Sequence, residues 1–62
     1  MYELKITQSP DPRMWYAHLI GKCVPLLREE TDCYISRQPQ GYINIVKKAD
    51  AKRVRRKHEP NY

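Results

Sequence analysis

The sequence predicts a mostly β protein, a small and strongly bent barrel of about five short strands with a short helical segment near the N-terminus. Three observations carry that expectation. The stretch CYISRQPQGYINIV, residues 33–46, is a run of strand-forming residues interrupted once by a turn signal. The opening YELKIT alternates apolar and polar residues, the period of a half-buried strand. A chain of 62 residues makes one small domain, with room for about ten apolar core side chains and no deep substrate cavity.

In chain order, the first strand puts Tyr2, Leu4 and Ile6 on one face. SPDPRMWYAHLIG follows at 9–21, where Asp11 suits an N-cap, Pro12 the first helical position and Gly21 a C-cap. Residues 12–20 are therefore expected as about two helical turns. Trp15, Ala17 and Leu19 also alternate as in a strand, but the caps favour the helix. Trp15 is expected in the core, because a chain without phenylalanine has few other large side chains to fill its interior. KCVPLLRE at 22–29 reads as the next strand, with Pro25 marking an edge or a bulge. The acidic Glu29, Glu30, Thr31 and Asp32 run forms the loop that follows.

The quoted stretch is a tight hairpin. Pro39 suits the second position of a type I turn, and Gly41 suits the left-handed residue of the bulge behind it. Opposing Gln38 to Tyr42 sets Arg37 against Ile43, Ser36 against Asn44 and Ile35 against Ile45. Ile35, Ile43 and Ile45 then share the face expected inside, and Tyr34, Ser36, Tyr42 and Asn44 the face expected outside. Beyond it, 47–51 is expected as a single helical turn and 52–56 as the last strand. The domain is drawn over 1–58, and 59–62 as a frayed tail.

The order carried by LIGKCVPLL, CYISRQPQGYINIV and KADAKRV, over residues 19–56, resembles small SH3-like barrels. Their last two strands are commonly separated by a single helical turn. It is similar to the short SH3-like proteins found singly in bacteria and their phages. The resemblance implies the fold. The acidic and aromatic motifs with which SH3 domains take proline-rich peptides are not recognisable here, so no peptide-binding residue is implied.

The charge is unevenly spread. Up to Val46 five bases balance five acids, whereas 47–58 carries seven bases against Asp50 alone, and the whole chain stands at +5. Concentrated positive charge speeds encounter with polyanions, so an acidic partner is expected. The polyanion-binding candidates are Lys47, Lys48, Lys52, Arg53, Arg55, Arg56 and Lys57. Tyr34, Arg37, Tyr42 and Asn44 are the candidates for a partner-binding patch, since tyrosine and arginine are enriched at binding hot spots. The reading is a small regulatory or adaptor protein that binds an acidic protein surface. The alternative is a nucleic-acid-binding module, with arginines on phosphates and Tyr34 and Tyr42 stacked on unpaired bases. The sequence has no helix-turn-helix spacing, zinc-finger pattern or RNP-like segment.

Other classes find little support. Asp11, Glu29, Glu30 and Asp32 fall at caps and loops, no Ser or Cys has a recognisable base partner, and two glycines make no phosphate-cradling loop. No enzymatic activity is expected. His18, Cys23, Cys33 and His58 include no close ligand pair, so no metal or cofactor is expected. Cys23 and Cys33 are too few for a disulfide framework and are expected as half-buried thiols. MYELKITQ is too polar for a signal peptide, and no run approaches the roughly 20 apolar residues of a membrane span, so a cytoplasmic chain without membrane contact is expected.

Overall fold

The structure, a computed structural model, describes residues 2–55. The proposed tail at 59–62, and Arg56, Lys57 and His58 before it, lie outside the described residues. Among the described residues six short strands form: β1 (Tyr2–Ile6), β2 (Cys23–Pro25), β3 (Arg28–Glu29), β4 (Cys33–Arg37), β5 (Ile43–Lys47) and β6 (Ala51–Arg55). They make two antiparallel three-stranded sheets, ordered β2-β1-β6 and β3-β4-β5. The expected closed barrel is thus seen as two open sheets. The expected strand at 22–29 is split into β2 and β3 at Leu26 and Leu27, just after Pro25, which has no N–H to offer a ladder.

The sheets enclose one core of Leu4, Ile6, Tyr16, Val24, Val46 and Ala51, with Met14, Trp15, Leu19, Leu26 and Tyr34 packed against it. In β1 the alternation reads as expected, with Leu4 and Ile6 buried and Tyr2 at the exposed end of the same face.

The helix expected over 12–20 does not form. Turns lead to one 3₁₀ turn, Ala17–Leu19. The local signals act on a shorter scale: Asp11 Oδ1 accepts the Arg13 N–H at 2.9 Å, and the Asp11 carbonyl accepts that of Met14 at 3.2 Å. Two adjacent aromatic rings explain the departure from a helix. Tyr16 is driven wholly into the core, while the Trp15 indole N–H reaches the Ile45 carbonyl at 2.7 Å. Gly21 closes the segment at φ +87°, a conformation that side-chain-bearing residues rarely adopt.

The hairpin register is as expected throughout, including Arg37 opposite Ile43 and Ile35 opposite Ile45. Its turn is closed by the Gly41 N–H on the Gln38 carbonyl at 2.8 Å and the Gln38 N–H on the Tyr42 carbonyl at 2.7 Å, with Gly41 at φ +104°. The faces are reversed, however. Ser36 and Val46 are fully buried, whereas Ile43 and Ile45 are 62% and 41% exposed. The register explains it. Tyr34 stands opposite Val46, and seating that pair on the core carries Ser36 and Asn44 inward with them. Asn44 lessens the cost by turning its Oδ1 to the Ile45 N–H at 2.8 Å, and Ser36 Oγ is left buried without a hydrogen-bond partner among the described residues.

The helical turn expected at 47–51 is the 3₁₀ turn Lys48–Asp50, leading straight into β6. Asp50 anchors it. Its carboxylate is buried and accepts the Tyr16 hydroxyl at 2.5 Å and the Gln8 side-chain amide at 3.3 Å, while its carbonyl accepts the Thr7 N–H at 2.8 Å.

Candidate interaction surface

The reversed hairpin redistributes the proposed partner-binding residues. Tyr34 packs on the core and lies 5.4 Å beneath the Lys48 ammonium. Asn44 is half-buried and engaged with its own strand. Tyr42 is 70% exposed beside the turn, and Arg37 is exposed with its guanidinium on the Gly41 carbonyl at 3.3 Å. The structure therefore exposes both Tyr42 and Arg37 beside the turn, on opposite faces of the hairpin by alternation, while Tyr34 and Asn44 are half-buried.

What occupies the outer face of β3-β4-β5 is the set that the sequence reading placed inside. Ile35, Ile43 and Ile45 lie there, with Cys33, Arg28, Arg37 and Lys47 as the other strand residues of that face. Its charged strand residues are all cations. Arg28 is paired with Glu30 at 2.5 Å, and Lys47 lies near enough to Asp11 to help Arg13 lower that carboxyl below its usual range.

The polyanion-binding set divides as well. Lys48 and Arg53 both close on Glu29, at 2.8 and 3.2 Å, and Arg53 also lies 4.7 Å over the Tyr2 ring. The Lys48 ammonium lowers the Glu29 carboxyl below its usual range, and Glu29 in turn raises Lys48. These two cations join β3 to the last turn and strand. Lys52 and Arg55 have no side-chain partner among the described residues, and Arg56 and Lys57 fall outside them.

Lys52 stands directly opposite Lys5 across the β1–β6 ladder, on the outer face. Lys5, like Lys52, has no side-chain partner among the described residues. Lys5 drew no attention in the sequence because its partner is set by a pairing 47 positions away. Like charges directly opposite each other destabilise a sheet.

Around Tyr16 the chemistry is structural. Burial pushes its hydroxyl up to about 12, helped by the hydrogen bond to Asp50, and that hydroxyl also accepts the Lys47 N–H at 3.3 Å. Cys23 is exposed and Cys33 half-buried, both as free thiols, where two half-buried thiols were expected. Among the described residues no group of three His, Cys, Asp or Glu side chains is placed to hold a metal ion. No helix among them is long and apolar enough to cross a membrane. No protein-family model, curated protein or solved structure matches the chain.

Proposed function

We propose that the chain is a small non-catalytic binding protein, a regulatory or adaptor module that docks on an acidic protein surface. The observation that carries this reading is the outer face of the hairpin, where Ile43 and Ile45 stand in solvent between Arg37 and Lys47. Exposed aliphatic side chains grouped on one sheet face are the mark of a macromolecular contact. The flanking cations select an acidic counterpart and steer its approach. Lys52 and Arg55 extend the positive field onto the last strand.

A nucleic-acid partner fits this surface less well. Stacking on unpaired bases needs exposed rings, and Tyr34 is turned to the core while Tyr42, exposed at the turn, falls by alternation on the face opposite the aliphatic patch. Isoleucines offer bases no comparable stacking surface.

The test is fluorescence anisotropy against a labelled peptide of alternating Glu and Val, and against single-stranded DNA, duplex DNA and RNA, from about 50 to 200 mM salt. The acidic peptide is expected to bind more tightly than any nucleic acid, with Ile43→Ser and Ile45→Ser each weakening it about tenfold or more. Tighter binding of a nucleic acid, with a steep salt slope of about −0.7 to −0.9 per phosphate neutralised, would overturn the reading.

A further inference from the structure

The two sheets end on strands with differently treated edges. In β5 the backbone groups of Ile43, Ile45 and Lys47 point away from β4, because Ile35 gives its carbonyl to Leu27 on the other side. Three of these outward groups are already taken by side chains. Asn44 Oδ1 accepts the Ile45 N–H, the Trp15 indole donates to the Ile45 carbonyl, and the Tyr16 hydroxyl accepts the Lys47 N–H. That edge is closed to another strand. In the first sheet, β2 is three residues long and ends on Pro25, which has no N–H.

The β6 edge is treated otherwise. Ile6 exchanges its backbone bonds with Lys22 and Gly21, so alternation turns Glu3 and Lys5 towards β6, where they bond Val54 and Lys52. The N–H and C=O groups of Arg53 and Arg55 consequently point outward. They have no partner among the described residues. Both residues are exposed, and the strand carries Lys52, Arg53 and Arg55 on its two faces.

We infer that β6 is a strand-addition site, which takes one extended acidic segment of the partner as a further strand of the β2-β1-β6 sheet. The inference rests on the acidic-partner reading above and names how that partner is held. Backbone bonds to Arg53 and Arg55 supply the ladder, and acidic side chains on either face of the incoming strand meet Lys52 on one side and Arg55 on the other. The same charges exclude a second copy of β6, since self-pairing would set cations against cations. A basic edge therefore repels its own kind and admits a strand of opposite sign.

The experiment uses the full chain and two labelled peptides of alternating Glu and Val, one unmodified and one N-methylated at consecutive central residues so that neither of its edges can donate. Anisotropy reads affinity, and amide hydrogen exchange reads Arg53 and Arg55. The unmodified peptide is expected to bind at least about tenfold more tightly and to slow exchange at both amides, leaving Asn44 and Val46 unchanged. Arg55→Pro, which removes an outward N–H, is expected to bind more weakly than Arg55→Ala, which carries the same charge. Equal binding of the two peptides with no slowing at Arg53 and Arg55 would overturn strand addition while leaving acidic docking in place. Failure of both peptides to bind would overturn both.

Discussion

Two buried polar side chains behave in opposite ways. Ser36 Oγ, in a core position, has no hydrogen-bond partner among the described residues, and a methyl group there removes an unmet desolvation cost. Ser36→Ala is expected to leave stability unchanged or raise it by up to about 1 kcal/mol, measured by urea unfolding. Tyr16 serves two partners at once, Asp50 and the Lys47 N–H. Tyr16→Phe strands both and is expected to cost about 1–3 kcal/mol. The pH dependence has a definite sign. The phenol is held at about 12 in the fold against an ordinary 10, so its contribution is complete below pH 10 and is lost as pH rises through about 12. Alkaline unfolding curves of Tyr16→Phe should lack that step. None of this was legible in the sequence, where Asp50 is simply the acid inside a basic run and its partner lies 34 positions upstream.

At the level of elements, the turn chemistry of Pro39 and Gly41 fixed the hairpin and its register, because both are local. Which face went inward was decided by the Tyr34–Val46 pair and by what packs beneath it, and that is tertiary information. The segment at 12–20 teaches the same lesson, since Asp11 and Gly21 work as a local cap and a positive-φ stop while the two rings between them overrule the helix. One contact joins the sheets in a way that can be tested. Glu29 on β3 holds both Lys48 and Arg53, so Glu29→Gln is expected to lower the melting temperature, and by less at high salt. Because Lys48 depresses the Glu29 carboxyl below 4.5, that contribution is present above pH 4.5 and fades as pH falls further.

Across the whole molecule, the net charge of +5 is visible in composition, but its deployment is not. Lys48 and Arg53 are spent holding the fold together, while Lys52 and Lys5 face each other without side-chain partners among the described residues. That opposition links stability to binding. Lys52→Glu converts a like-charge pair into an opposite one, and is expected to raise the melting temperature by about 1–3 °C while weakening the acidic peptide severalfold. Thermal melts and anisotropy on one preparation check both halves. The proposed surface was half legible, through Arg37, Lys47 and the basic strand. Ile43 and Ile45 were missed because aliphatic side chains are assigned to an interior by default. The indole that holds the β5 edge also has an optical consequence. Trp15 is the chain's single tryptophan, and Tyr16 meets it edge-on at 5.4 Å. Emission from that one indole should shift when the Ile45 carbonyl leaves its N–H, so ultraviolet fluorescence reports local fraying of β5 without any added label.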